Sequence, residues 1–173
     1  MNWDRSFDDL LNEASYTMRR DIESAAQESA QADFTQVAFT DRLRATHHRV
    51  LAVWTHSGGP LQGTVEVVNE AYLVLHDEHH CYTVIPTYAI VAVSSLGYAL
   101  PPEKSRIKPT FSQFLRTLAE NSTSLTLVTL STEFQGKISR VGCDHCDFLK
   151  GGAADSQRIS IALSAIDYLR IRP

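Results

Sequence analysis

Cys143-Asp144-His145-Cys146 places two thiols three residues apart around a carboxylate and an imidazole. Such a CxxC could form half of a tetrahedral zinc site or a redox dithiol. The chain has no second CxxC to complete a tetrahedron. A redox pair normally opens a helix, whose N-terminus lowers the thiol pKa, and here the surrounding pattern is turn and strand. On an extended strand, positions three apart face opposite sides of the sheet, so small packed side chains are the expectation.

His76-Asp77-Glu78-His79-His80-Cys81 packs three imidazoles, two carboxylates and a thiol into six residues. Imidazole suits several transition metals, and histidine changes charge near neutral pH. The segment falls where a hairpin must turn, so a solvated loop is expected. No metal and no cofactor is therefore assigned. His79, His80, Cys143, His145 and Cys146 are the residues that could ligate one. His47-His48-Arg49 reads as the cationic end of a helix, favourable to its dipole. Trp54, Tyr72, Tyr82, Tyr88 and His145 could stack on bases, although aromatics at alternate strand positions are usually core.

Catalytic signatures are missing. The sequence holds no Gly-x-Ser-x-Gly, phosphate loop, dinucleotide glycine fingerprint or His-Glu-x-x-His. No catalytic residue is assigned, and a protein that is not an enzyme is expected.

The elements that must position these groups follow an internal repeat. Phe39–Arg44 matches Phe111–Arg116 at an offset of 72, and Leu61–Val65 matches Phe134–Ile138 at 73. Val68–Leu75 falls on Val141–Phe148, again at 73, and Ala89-Ile90 on Ala165-Ile166 at 76. Ordered anchors with slowly drifting offsets predict two related units, residues 39–93 and 111–173. Each opens with a short amphipathic helix, Thr110 being a candidate cap for the second. Short β-branched strands follow: Val50–Trp54, Tyr72–Leu75, Tyr82–Ile85 and Ile90–Val93 in the first unit, Leu125–Leu130 opening the second. Gly58-Gly59-Pro60 and Ser131-Thr132-Glu133 read as turns, and Gly63 and Gly136 as sharp bends inside strands. Mainly β structure with an N-terminal helix is predicted, with two tandem five-stranded Sm-like or SH3-like barrels. Residues 1–33 form the helix, 34–93 the first barrel with its entry helix, 94–110 a proline-containing linker, and 111–173 the second barrel with its own.

Charge is unevenly placed. The chain of 173 residues has 16 Lys plus Arg against 20 Asp plus Glu. Residues 1–33 hold eight of the acids and three of the bases, so the rest carries 13 bases against 12 acids. A broad basic face for phosphate backbones is thus disfavoured. Three cysteines are too few for a disulfide scaffold, and the acidic start MNWDRSFDDL is unlike a secretory leader, so a cytoplasmic location is expected. No apolar run reaches the roughly 18 residues of a membrane span. Phe7, Leu11, Ala14, Met18 and Ile22 form one stripe on the N-terminal helix, which predicts a homodimer through that helix.

The spacing Gly63-x-Val65-x-x-Val68…Leu73-x-Leu75, then Ile85-Pro86-x-x-Ala89-Ile90-x-x-Val93, resembles the Sm-like fold. The whole chain resembles an uncharacterised family of actinobacterial proteins with an N-terminal helix and two such units, each with a motif like Val-Gly-Ala-Asp-x-x-x-Leu. That motif stands here as Val68–Leu75 and Val141–Phe148. The resemblance brings no activity with it. Sm-type RNA binders carry an Arg-Gly or Lys-Gly pair at the fourth-strand turn, where this chain has Pro86-Thr87-Tyr88-Ala89 and Leu163-Ser164-Ala165. The expected function is a non-catalytic interaction module with an unknown protein partner. The alternative is an Sm-like RNA binder using Tyr72, Arg140 and His145.

Overall fold

The computed structural model describes residues 34–97, 109–151 and 157–172. Met1–Ala38 and Phe39–Pro173 are separate compact units. The N-terminal helix, the homodimer contact drawn from it and most of the 94–110 linker lie outside the described residues.

The unit from Phe39 onward is mainly β. It begins with α1 (Phe39–Arg44), β1 (Val50–Thr55), β2 (Gly58–Val68), β3 (Tyr72–His76), β4 (Tyr82–Pro86), a 3-10 turn (Thr87–Ala89) and β5 (Ile90–Val93). It continues with α2 (Phe111–Glu120), β6 (Ser124–Thr129), β7 (Glu133–Val141), β8 (His145–Lys150), β9 (Gln157–Ala162), a second 3-10 turn (Leu163–Ala165) and β10 (Ile166–Ile171). All ten strands form one antiparallel sheet in the order β5-β1-β2-β3-β4-β10-β6-β7-β8-β9. Each half therefore lays its strands fifth, first, second, third, fourth, and β4 beside β10 joins the halves.

Local chemistry fixes the start of the second helix. Thr110 caps α2: its hydroxyl accepts from the Gln113 N–H at 3.2 Å, and the Gln113 side chain accepts from the Thr110 N–H at 2.8 Å. Phe111, Leu115 and Leu118 are its buried face. Two boundaries differ from expectation by more than one residue. α1 ends at Arg44, so His47-His48-Arg49 lies beyond it; the His47 ring instead meets the Glu66 carbonyl at 2.8 Å. Gly58-Gly59-Pro60 opens β2 instead of forming a separate turn, because Thr55 pairs with Gly58 and Trp54 with Pro60 across a bulge.

The two glycines inside strands serve the same purpose. A β-carbon on Gly63 would lie 2.8 Å from the His76 carbonyl oxygen, and one on Gly136 only 1.9 Å from that of Leu149. Two residues further along, each ladder slips: between Val65 and Val67 on β2, and between Ile138 and Arg140 on β7. Close backbone approach followed by a bulge bends each strand sharply.

The halves differ in what their third and fourth strands bury. Leu73, Leu75 and Ile85 join Leu43, Leu51, Val53 and Val65 in one core cluster. The alternate residues Tyr72, Val74 and Val84 face the other way and join the second cluster, with Phe111, Leu127, Phe148 and Leu169. β3 is thus covered on both faces, as its uninterrupted apolar run requires.

Candidate interaction surface

The residues that could do chemistry are placed on different elements. Cys146 is fully buried in the second core cluster, while Cys143 is exposed. Burial, and secondarily the Asp147 carboxylate, pushes the Cys146 thiol up to about 11. His145 is exposed at the start of β8, and its Nδ1 lies 2.8 Å from an Asp144 carboxylate oxygen. That hydrogen bond raises the imidazole pKa above its ordinary value and lowers that of Asp144. The CxxC therefore splits, one sulfur inside and one outside.

The 76–81 segment closes a hairpin. The Asp77 carboxylate accepts the N–H groups of His79 and Cys81, both at 2.8 Å, and the Asp77 N–H donates to the Cys81 carbonyl at 3.0 Å. Slight burial works against ionisation of Asp77, but the bonds from Cys81 and His79 outweigh it and lower its pKa. His79 and His80 are exposed, and the His76 ring stacks on Tyr82 at 4.7 Å. Asp77, His79 and His80 line an open concavity of about 570 Å³ beside Gly63. A concavity of about 520 Å³ beside Gly136 is lined instead by Arg170, Arg172 and Glu133. Among the described residues, no three His, Cys, Asp or Glu side chains converge as a metal cage.

The residues named for the RNA alternative are not assembled. Tyr72 is buried against Phe114, ring centroids 5.0 Å apart, and against Phe111 at 6.4 Å. Its ring offers no free face to a base. Arg140 and His145 are exposed on β7 and β8, on the other half of the sheet. Tyr88 is half exposed, and its hydroxyl donates to the Leu163 carbonyl. Burial, then the Asp167 and Cys146 charges, raises its pKa.

The junction between halves is the most elaborate polar site, and its central residue is Asp167. This carboxylate is nearly inaccessible, yet it accepts the N–H of Ser57 at 2.8 Å and of His56 at 3.1 Å. The Ser57 hydroxyl donates to it as well, and the His56 imidazole lies at 3.4 Å. Burial alone would raise the Asp167 pKa; the bonds from Ser57 and His56 reverse that and lower it. Beside this clasp, Val84 stands opposite Leu169, Thr83 opposite Arg170 and Tyr82 opposite Ile171. Sequence reasoning passed over Asp167 and Ser57. An acid inside the otherwise apolar strand Ile166-Asp167-Tyr168-Leu169 was the signal.

Among the described residues the sheet ends at β5 on one side and β9 on the other, each hydrogen-bonded to one neighbouring strand. No helix among the described residues is long and apolar enough to cross a membrane. No protein-family model matches the chain, and no curated protein matches it significantly.

Proposed function

We propose that this chain is a non-catalytic interaction module, built as an N-terminal helix and two tandem Sm-like or SH3-like small barrels. Its partner is a protein that adds to the sheet at one of its ends. The observation that carries this reading is the sheet order, which among the described residues leaves β5 and β9 each paired on one side only. An end strand offers a row of backbone donors and acceptors to an extended partner. These groups have structural tasks: Asp167 holds a turn, Asp77 closes a hairpin and Cys146 fills core.

The test is capture from a native lysate on the immobilised full chain, with and without nuclease. A stoichiometric protein retained after nuclease treatment is the expected result. Retention of RNA alone, or anisotropy showing salt-sensitive binding of U-rich or A-rich strands that depends on Arg140 or His145, would replace this reading with the RNA-binding one.

A further inference from the structure

The strand registers give every residue at the internal junction a counterpart at the free ends. Thr55 pairs with Ile90 as Thr129 pairs with Ile166, so Leu130 follows β6 where His56 follows β1, and Val91 stands where Asp167 stands. Likewise Val74 pairs with Val84 as Asp147 pairs with Ser160, making β9 the counterpart of β4. β5 is the counterpart of β10. The two strands that end the sheet are thus equivalent to the two that meet in its middle.

The side chains at these ends differ as a pair from those at the junction. Inside the molecule, Asp167 accepts the His56 N–H, and the His56 imidazole lies 3.4 Å from the same carboxylate. At the ends, Leu130 and Val91 hold the same positions, and both are exposed, at 67% and 60%. An exposed leucine at one end and an exposed valine at the other fit one another as the acid and the imidazole do. Phe39, 41% exposed, is the counterpart of Phe111, which closes the internal junction over Tyr72 and Tyr88.

We infer that a second copy of this chain docks head to tail, β5 of one beside β9 of the other, with Val91 against Leu130. This deepens the interaction-module reading and rests on it. Transposing the pair Val84–Leu169 sets the register, with Ser160 opposite Val93 of the next copy. The contact is weaker than the internal one, because Tyr72, Val74 and Val84 have the polar counterparts His145, Asp147 and Ser160. Reversible association follows. The contact is heterologous, with different surfaces on the two copies.

Sedimentation velocity on the full chain, from roughly 5 to 200 µM, tests this across the range of weak homomeric contacts. The weight-average mass of the wild type rises with concentration. Leu130→Lys and Val91→Asp each hold it near the monomer, with unchanged thermal melts because both sites are exposed. An equimolar mixture of the two variants associates again, since the intact Leu130 of the Val91→Asp chain meets the intact Val91 of the Leu130→Lys chain, and the introduced lysine faces the introduced aspartate at the other contact. A wild type monomeric throughout, single variants that associate like wild type, or a mixture that stays monomeric each overturns the proposal. If the wild type stays monomeric while the lysate capture retains a protein after nuclease, self-pairing fails and the module reading stands. If the capture also fails, both are wrong.

Discussion

The carboxylate of Asp167 accepts the backbone N–H of Ser57 at 2.8 Å, joining residues 110 positions apart across the seam of the sheet. Removing that carboxylate leaves the N–H groups of His56 and Ser57 without their protein acceptor. Asp167→Ala is expected to cost about 2–4 kcal/mol of unfolding free energy. The folded pKa of Asp167 lies below the ordinary unfolded value of about 3.9, so its contribution is complete above that pH. It is lost as pH falls through the folded value. Urea melts at pH 7 and through the acid range check this. The idea fails if Asp167→Asn loses stability on acidification as steeply as wild type.

Gly63 and Gly136 should tolerate alanine unequally. Each lies against a carbonyl of the neighbouring strand, but the Gly136 β-carbon would sit 1.9 Å from the Leu149 oxygen and 2.9 Å from Phe148 Cε1. Displacing backbone and a buried ring is harder than the shift Gly63 needs. Overpacking costs about 1–3 kcal/mol. Gly63→Ala belongs inside that range, and Gly136→Ala at or beyond its top. Equal melting temperatures for the two variants would refute the comparison.

The glycines show what was legible in the sequence. A Gly within a β-branched run is a local signal, as is Thr110 three residues before Gln113, and both the bends and the cap follow from neighbours in the chain. The junction was not legible in this way. Tyr72 and His145 occupy matching registers, and only tertiary packing decides that α2 covers the first and leaves the second open. One local trace existed: Tyr72-Leu73-Val74-Leu75 is apolar at every position, whereas His145-Cys146-Asp147-Phe148 alternates. A continuous run means both faces are covered, an alternating one a single face. The clasp on Asp167 depends on residues far apart in sequence, which no pattern within a window reveals.

The three thiols should react at separate rates. Cys143 is exposed, whereas Cys81 and Cys146 are buried, and Cys146, held near 11, stays protonated at pH 8. A colorimetric disulfide reagent is expected to titrate one fast thiol per native chain and three in denaturant. Fast reaction of two, or stoichiometric zinc that shields Cys143, would restore the CxxC as a chemical unit.

His145 should titrate above an ordinary histidine. Its hydrogen bond to Asp144 stabilises the imidazolium, although both groups are exposed. Proton NMR of the imidazole resonances follows each ring through neutral pH. Asp144→Asn is expected to lower the His145 midpoint and leave the other histidines in place. An unchanged midpoint means that the contact does not persist in solution.

Tyr72 and His145 make the sharpest comparison between the halves, because their strands have matching registers and their burial is opposite. The Tyr72 ring fills space between β3 and α2 and touches both Phe111 and Phe114. Its truncation opens a cavity in the cluster that joins the halves, and Tyr72→Ala is expected to cost about 3–5 kcal/mol. His145 packs over Gly142, where a β-carbon would lie 2.6 Å from the ring, and is otherwise exposed. His145→Ala should change stability by no more than about 0.5 kcal/mol. Chemical denaturation of the two variants measures the contrast directly. Similar losses would mean that the two halves bury these strands alike, and the unequal packing of the sheet would be wrong. If Tyr72→Ala instead leaves stability intact while abolishing RNA binding, the tyrosine is a stacking platform and α2 is not its cover.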